Sequence, residues 1–321
     1  MKKPERKSKR NAPKRNTNPR KLRVSIIGAG RMGATLGHAL NQLGYPIDLV
    51  VTGHAASARR AAKFVKTEAV TTTELGRTKL AQKLLTTNFL LISTPDDVLA
   101  AVAGKLAARF RGIPVGKKSR RIALHTSGAL SSEVLAPLRT AGFAVGSLHP
   151  LVSIPEAKSD PKVFRGAYFC VEGDREAVRL ARSIVSELGG ESFTVDAKSK
   201  ALYHAAAVMS AGHVVALFDL AVEMLRDCGL SGRRAQKVLH PLLQSTTANL
   251  AISDPAQALT GPFARGDSAT AKKHLAALTS ARRDAALAVY VLLARHSLQM
   301  SKPARRDSKL FAEMAKLLSQ K

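Results

Sequence analysis

A chain of 321 residues, of which 45% are hydrophobic, is long enough to form two domains with a core each. The only two cysteines, Cys170 and Cys228, exclude a disulfide scaffold and favour a reducing compartment. No apolar run approaches the roughly 20 residues of a membrane span, and no apolar segment follows the N-terminal charges as in a secretory signal. We therefore expect a cytoplasmic protein without a membrane span.

Part of the formal net charge of +28 lies in an N-terminal segment. Residues 1–23 contain eleven Lys or Arg and a single acid, Glu5. Three prolines and a near absence of apolar residues predict a disordered basic tail over residues 1–21. Such a tail binds nucleic acid or another polyanion weakly, or it is simply a solvated segment.

From Leu22 onward, short β-branched segments alternate with helical ones. Strands are predicted at 22–27, 47–52, 88–93, 121–125, 143–148, 167–172 and 192–195, and helices at 31–43, 55–64, 95–110 and 175–188. Because each crossover must return over a sheet face, this alternation predicts an α/β domain with a doubly wound, mostly parallel sheet over residues 22–196.

Strand signals stop after Asp196. Helices are predicted at 198–226, 233–250, 268–278 and 282–300. We therefore expect an all-α C-terminal domain over residues 197–321. The first of these helices is apolar nearly all round, which favours burial on more than one side and a homodimer joined through this domain.

A glycine-rich turn lies between the first predicted strand and the first predicted helix, with the spacing G-x-G-x-x-G. Its glycines permit a tight turn, a close approach of the backbone to a pyrophosphate, and close packing of the helix, whose N-terminal amides face the anion. The turn predicts dinucleotide binding by Gly28, Gly30, Arg31, Met32 and Gly33.

The end of the second strand indicates which dinucleotide is bound. An NAD site usually carries an acid there, whereas this strand ends at Thr52 and is followed by Ser57, Arg59 and Arg60. Hydroxyl and guanidinium groups suit a 2′-phosphate, so Thr52 and Arg59 predict NADP rather than NAD. The alternative is that both arginines only solvate a helix.

Polar residues also follow the next predicted strands, at the sheet edge where open α/β folds bind ligands. The candidates for cofactor contact there are Ser93, Thr94 and Pro95. Thr94 at a cap and Pro95 at the first helical position would equally well begin a helix. His125 and His149 are candidate substrate-binding residues, and Ser127 is a candidate catalytic contact.

The helix that follows Asp196 carries Lys200 and His204 one turn apart on one face. Histidine titrates near neutrality, so His204 is the candidate acid/base group and Lys200 a group that polarises the substrate. The alternative is a hydrogen-bonded structural histidine. Farther on, Arg265 either binds a substrate carboxylate or pairs with Asp267. No metal site is expected.

Six segments together resemble a known group: IIGAGRMG, ISTPDD, LHTSGAL, LHPL, LYHAAAV and ALTGPFARGD, in this order over residues 22 to about 280. The chain resembles predicted oxidoreductases with an N-terminal Rossmann-like domain and a C-terminal domain called DUF2520. This layout is similar to that of pyrroline-5-carboxylate reductase, prephenate dehydrogenase and the β-hydroxyacid dehydrogenases, with a helical domain like the C-terminal one of 6-phosphogluconate dehydrogenase. The β-hydroxyacid enzymes carry Lys-x-x-x-Asn, whereas His204 stands here in place of the asparagine.

The resemblance implies an NADP-dependent oxidoreductase that acts on a small carbonyl or imine compound, with a carboxylate, bound between the two domains. It also implies a homodimer. The alternative is a non-catalytic NADP(H)-binding sensor or scaffold protein, which needs the glycine turn but no acid/base group.

Overall fold

The computed structural model describes residues 21–75, 79–114, 121–156, 160–301 and 309–319. The predicted basic tail, residues 1–21, lies outside these ranges except for Lys21, so its binding to polyanions stays a prediction. Lys21 donates to the Leu43 carbonyl, and its Nζ lies 2.6 Å from Glu187 Oε2. The last residue of the predicted tail is therefore anchored on the folded chain.

The chain forms two compact units, residues 1–209 and 210–321. The first unit runs past the boundary predicted at residue 196. It includes a helix whose first residue, Lys200, donates a hydrogen bond to Ser147 in the sheet. The helix that carries His204 therefore belongs to the unit that contains the glycine turn.

Over its described residues, the first unit contains eight strands and six α-helices. The strands are β1 (Val24–Ile27), β2 (Ile47–Thr52), β3 (Ala69–Thr71), β4 (Phe89–Ile92), β5 (Arg121–His125), β6 (Phe143–Pro150), β7 (Tyr168–Gly173) and β8 (Glu191–Phe193). The helices are α1 (Arg31–Gln42), α2 (Ala55–Val65), α3 (Ala81–Thr86), α4 (Asp96–Phe110), α5 (Arg175–Glu187) and α6 (Lys200–Ser210). Segments of 3₁₀ helix lie at Ser132–Ala141, Pro161–Phe164 and Ala197–Ser199.

The strands form one sheet in the order β3-β2-β1-β4-β5-β6-β7-β8. Neighbouring strands are parallel except β6 and β7, which are antiparallel. The prediction of a doubly wound, mostly parallel sheet is confirmed. The strand order reverses between β1 and β4, and ligands of open α/β sheets bind at this point, outside the carboxyl ends of the strands.

Both faces of the sheet are buried, which explains the continuous apolar runs of its central strands. Ile26 packs on one face in a cluster with Leu36 of α1, whereas the neighbouring Ile27 packs on the other face with Leu106 of α4. All four residues are 5% exposed or less. This packing fixes where β1 ends, and so where the glycine turn begins.

The second unit consists of helices over its described residues, as predicted. They are α7 (Gly212–Asp227), α8 (Gly232–Ile252), α9 (Pro255–Ala258), α10 (Pro262–Arg265), α11 (Ser268–Ser280), α12 (Asp284–Met300) and α13 (Lys309–Ser319). The core lies among α11, α12 and α13, around Leu275, Val291 and Met314. The single helix predicted over 198–226 is instead interrupted at Ala211, whose φ of −126° and ψ of −76° are not helical.

One stretch of the described chain, Ala197–Asp227, is long and apolar enough to cross a membrane. The expectation that no segment would reach this length is wrong, because isolated polar residues such as His204 and Asp219 lower the hydropathy of the run only slightly. Apolar side chains along it are exposed, among them Leu202 and Val215. An apolar helix that is covered by other protein surface has the same length and composition as a membrane span.

Candidate functional site

The glycine turn brings β1, α1 and β4 into close contact. A Cβ on Gly28, whose φ is +92°, would lie 2.4 Å from the Ser93 carbonyl oxygen. A Cβ on Gly33 would lie 2.2 Å from the carbonyl oxygen of Gly28. Only glycine fits these two positions. Gly30 differs, because a Cβ there would meet nothing within 4 Å, so its side faces open space.

That open space belongs to a cavity of about 660 Å³, which we call the turn cavity. It lies at the carboxyl ends of β1, β2 and β4, where the strand order reverses. Its lining includes Gly28, Gly30, Arg31, Thr52, Ser93, Thr94 and Pro95 from the predicted cofactor residues. The structure therefore brings together most of the residues that the sequence assigned to the dinucleotide.

Arg60, not Arg59, lines the turn cavity. Both arginines are exposed on α2, but only Arg60 shares the cavity face with Ser57, to whose hydroxyl its guanidinium donates at 3.3 Å. The assignment of Arg59 to the cofactor is corrected for this reason. The sequence could have indicated Arg60 as the cofactor residue. Ser57 and Arg60 are three residues apart and so share one face of α2, whereas the neighbouring Arg59 lies on another face.

Thr94 does not cap a helix. The residue at the cap of α4 is Pro95, and no side chain caps that end. Among the described residues, the buried Thr94 hydroxyl has no hydrogen-bond partner, although Thr94 lines the turn cavity. A buried hydroxyl without a partner is costly, so this atom is suited to a ligand that fills the cavity.

A second cavity, of about 550 Å³, shares part of its lining with the turn cavity, and we call it the histidine cavity. The shared residues are Gly30, Arg31, Ser93, Thr94 and Pro95. The histidine cavity adds Met32, Asp96, Thr126, Ser127, Gly128, His149 and His204. Ser127 and His204, predicted from distant parts of the sequence, therefore line one cavity.

Two imidazoles meet beside Gly128 in the histidine cavity. The ring centroids of His149 and His204 are 5.6 Å apart, and the rings are nearly perpendicular. A Cβ on Gly128 would lie 2.4 Å from His204 Cδ2 and 2.7 Å from His149 Nε2. The glycine therefore provides the room in which both rings approach the loop.

Burial lowers the pKa of His149 to about 4, and the charge of Lys200 and the nearby His204 act in the same direction. His149 is therefore neutral near pH 7. Its Nδ1 lies 2.7 Å from the Tyr203 hydroxyl oxygen, one residue before His204 on α6. Burial also raises the pKa of Tyr203, so the phenol keeps its proton.

Ser127 lines the histidine cavity, but its hydroxyl is already hydrogen-bonded. The hydroxyl donates to Asp96 Oδ2 at 2.8 Å and accepts from the Leu130 amide at 3.0 Å. Ser127 therefore ties its loop to the first turn of α4. The predicted contact between this hydroxyl and a substrate would compete with both bonds.

Lys200 lies beneath the histidine cavity and is not part of its lining. The residue is 1% exposed, and its Nζ donates to Ser147 Oγ at 2.8 Å and to the Ser127 carbonyl at 3.4 Å. Burial lowers the pKa of Lys200, and the carboxylates of Glu172 and Asp96 oppose this shift. The predicted direct polarisation of a substrate by Lys200 is corrected, because the ammonium reaches the site only through its neighbours and its charge.

His125 is fully buried at the end of β5 and does not line either cavity. Its Nδ1 accepts a hydrogen bond of 3.2 Å from the Ser127 amide. Burial, followed by the charge of Lys200, lowers the pKa of His125 to about 3. The predicted contact with substrate is corrected accordingly, and His125 supports the loop that carries Ser127.

Arg265 lies in the second unit, exposed at the end of α10. Asp267 caps α11 by accepting hydrogen bonds from the amide and the hydroxyl of Thr270, at 3.0 and 2.7 Å. The carboxylate of Asp267 is thus committed to the helix end. Binding of a substrate carboxylate by Arg265 stays a prediction.

The sequence did not indicate Asp96 and Tyr203 as site residues. Asp96 begins α4, within the helix predicted over 95–110, and its carboxylate accepts a hydrogen bond from the Ser127 hydroxyl. Tyr203 directly precedes His204, but its contact with His149 depends on strand β6 and helix α6 meeting. No spacing rule in the sequence predicts that contact.

Comparisons with known proteins agree with this architecture. The family model for a Rossmann-like domain matches residues 1–150, and the model for DUF2520, a domain of unknown function, matches residues 167–297. No curated protein matches the chain.

Several solved structures share the fold. A Bacteroides fragilis protein given the provisional name NADP oxidoreductase is 23% identical, with a TM-score of 0.69 over 87% of this chain and 99% of that one. The Thermotoga maritima protein TM1727 is 21% identical, with a TM-score of 0.63 over 88% of this chain and 100% of that one. A reductive aminase from Aspergillus terreus, solved with NADPH and ethyl levulinate, is 17% identical, with a TM-score of 0.60 over 92% and 99%.

The buried histidines predict an acid-sensitive fold. Folded His125 stays neutral down to about pH 3, whereas an ordinary histidine becomes protonated near pH 6.5. Below pH 6.5 the unfolded chain binds more protons than the folded one, so stability falls with falling pH by up to about 1.4 kcal/mol per unit for each such group. Urea unfolding at several pH values should show a smaller acid-side loss for His125→Asn. Identical pH profiles of the two proteins would contradict the assignment.

Proposed function

We propose that the chain, which matches the models of a Rossmann-like domain and of a DUF2520 domain, is an NADP-dependent oxidoreductase of a small carbonyl or imine compound that carries a carboxylate. One observation carries the proposal: the turn cavity and the histidine cavity share Gly30, Arg31, Ser93, Thr94 and Pro95. A dinucleotide on the glycine turn would therefore extend toward His149 and His204.

The residues of the turn cavity fit an NADP molecule. The open side of Gly30 leaves room for a pyrophosphate at the N-terminus of α1, and the Thr94 hydroxyl lacks a partner. Arg60 and Ser57 offer a guanidinium and a hydroxyl to a 2′-phosphate. When bound, the cofactor supplies or accepts the hydride, and the protein orients the substrate. The NADPH bound to the reductive aminase and the NADP+ bound to an imine reductase from Myxococcus stipitatus support this assignment.

His204 is the acid/base group of the proposed reaction. It is half-buried in the cavity lining, and it lies beside a neutral His149 that can hydrogen-bond the same substrate. Ser127 shapes the loop between them. Lys200 holds that loop from below, and its charge adds to the effect of burial, which lowers the pKa of both His125 and His149. Arg265 is the proposed anchor of the substrate carboxylate.

The protein is also proposed to work in the cytoplasm as a homodimer. Cys170 and Cys228 are both free, which suits a reducing compartment. Large apolar side chains of α7 and α8 are exposed, with Val215 at 70% and Leu242 at 64%. A second copy of the chain would remove these side chains from water, and so would account for the apolar stretch Ala197–Asp227 without a membrane.

The cofactor assignment predicts a preference that depends on one arginine. NADPH should bind more tightly than NADH by on the order of 1.5–3 kcal/mol, the size of a charge-assisted hydrogen bond. Calorimetric titration should show that Arg60→Ala removes most of this difference. Arg59→Ala is the matched control, because it deletes the same side chain one residue away, outside the cavity lining. Equal losses in both variants would rule out a specific contact by Arg60.

The acid/base assignment predicts a selective loss of turnover. His204→Ala should slow NADPH oxidation with a panel of oxo acids and amines by about 10²–10⁴-fold, the usual contribution of such a group. NADPH affinity should stay nearly unchanged, because the change lies outside the turn cavity. The control His213→Ala removes an exposed imidazole of α7. A wild-type protein that binds NADPH but turns over no member of the panel would favour the non-catalytic sensor.

The oligomer assignment predicts that sedimentation velocity finds a dimer at micromolar concentration. Leu242→Glu should shift the protein toward monomer, because a carboxylate would become buried in the interface without a partner. In a separate centrifugation assay, the wild-type protein should not pellet together with neutral lipid vesicles. A wild-type monomer, or a protein that pellets with vesicles, is incompatible with the proposed dimer surface.

A further inference from the structure

Three side chains from different elements form a chain of hydrogen bonds behind the histidine cavity. Cys170 on β7 lies opposite His149 on β6 in the antiparallel register of these strands. The hydroxyl of Tyr203, on α6, bonds to the Cys170 side chain and lies 2.7 Å from His149 Nδ1. All three residues belong to the first unit. The hydrogen-bonded side chains therefore run from Cys170 through Tyr203 to His149, which lines the histidine cavity.

The phenol of Tyr203 has one proton to donate and two neighbours that can accept it. The sulfur of Cys170 is a weak acceptor, whereas an imidazole nitrogen is a strong one. His149 Nδ1 is therefore the favoured acceptor of the Tyr203 hydroxyl proton. The buried, neutral His149 has a single ring proton, because burial holds its pKa near 4. With Nδ1 accepting, that proton lies on Nε2.

The Nε2 atom of His149 lies beside Gly128, and Gly128, His149 and His204 all line the histidine cavity. We infer that Tyr203 positions His149 as its Nε2–H tautomer, so that the cavity wall offers an uncharged hydrogen-bond donor and selects a ligand with an acceptor oxygen beside His204. Tyr203 is a positioning residue, since it acts only through His149. The role of His149 toward a substrate rests on the proposed function, whereas its tautomer follows from the contact with Tyr203 alone.

The same geometry favours one class of substrate group. An Nε2–H donor pairs with a carbonyl or carboxylate oxygen. It repels an ammonium group, because the ammonium offers no acceptor to the Nε2–H group. Asp96 in the same lining is held by the Ser127 hydroxyl and so does not reverse this preference at the His149 end. An oxo group or a carboxylate oxygen, rather than an amine, is the group that we assign to this position.

The test reads the tautomer directly. In the full-length protein with ¹⁵N-labelled histidine, long-range proton–nitrogen NMR correlations distinguish Nδ1–H from Nε2–H rings, and His149→Asn identifies the His149 signals among the nine histidines. The wild-type protein should show the Nε2–H pattern at His149. An Nδ1–H pattern would overturn the inference without any variant. Tyr203→Phe, which removes only the hydroxyl, should convert the His149 signals to a mixture of tautomers.

A second tyrosine–histidine pair provides the matched control. Tyr290 and His274, in the second unit, are joined by a bond of the same length, 2.7 Å, between the hydroxyl and Nδ1. Tyr290→Phe should leave the His149 signals unchanged, and an equal change in both variants would show that Tyr203 has no specific effect.

Turnover separates this inference from the proposed function. With an oxo acid that the wild-type enzyme reduces, Tyr203→Phe should raise KM about twofold, because only the fraction of His149 in the Nε2–H form donates to the substrate, while NADPH affinity stays the same. An unchanged KM would contradict the role of His149 toward the substrate. If the wild-type protein reduces no oxo acid, the proposed function fails, whereas the NMR result still decides the tautomer.

Discussion

The candidate site depends on the hydrogen bonds that the buried ammonium of Lys200 donates. This ammonium joins the start of α6 to Ser147 in the sheet and to the carbonyl of Ser127, and so holds three separate parts of the chain around one charge. An ammonium at 1% exposure persists only when hydrogen bonds and nearby carboxylates offset its lost hydration. Burial keeps His125 and His149 in their neutral forms, and the charge of Lys200 adds to this effect. The lysine therefore fixes the shape of the loop that carries Ser127 and contributes to its electrostatics.

The position of the turn cavity follows from packing rather than from the glycines alone. Ile26 and Ile27 are buried on opposite faces of the sheet, which fixes the register of β1. The chain must then turn at Gly28, where a side chain would collide with the Ser93 carbonyl. Close contact between the β1 and β4 ends leaves the helix N-terminus facing open space. A glycine turn without these neighbours would not create a cavity.

The fold was largely predictable from the sequence, because buried parallel strands are apolar throughout and their bounds follow from that pattern. The strand Ile47–Thr52 was predicted to the residue. The three-residue strand Ala69–Thr71 and the six-residue helix Ala81–Thr86 were missed, since elements this short contain too few residues to show a period. The break at Ala211 was missed although Gly212 follows it, because a single glycine within a long helical pattern is often tolerated.

The candidate site was less predictable than the fold. Its chemistry depends on whether each side chain lines the cavity or is buried beneath it, and the order of residues along the chain does not show this. Lys200 and His204 share a helix face, as predicted, yet one is beneath the cavity and the other in its lining. His125 was placed at the correct sheet edge, but its ring turns into the core. Whether a side chain ends in a cavity or below it depends on neighbours such as Gly128, which lie far away in the sequence.

The antiparallel strand β7 has a consequence for how such chains can be divided. The match to the Rossmann-like domain ends at residue 150 and the match to DUF2520 begins at residue 167, yet strands on both sides of that gap pair in one sheet. A chimera joined there would have to rebuild the pairing of His149 with Cys170 and the anchor of Lys200 on Ser147 from two parents. Homologous exchange would also leave the edge of β6 open to other chains if the pairing failed. His204 lines the histidine cavity, so a segment that is exchanged with this cavity intact must extend past residue 204. That segment is longer than the match to the Rossmann-like domain, which ends at residue 150.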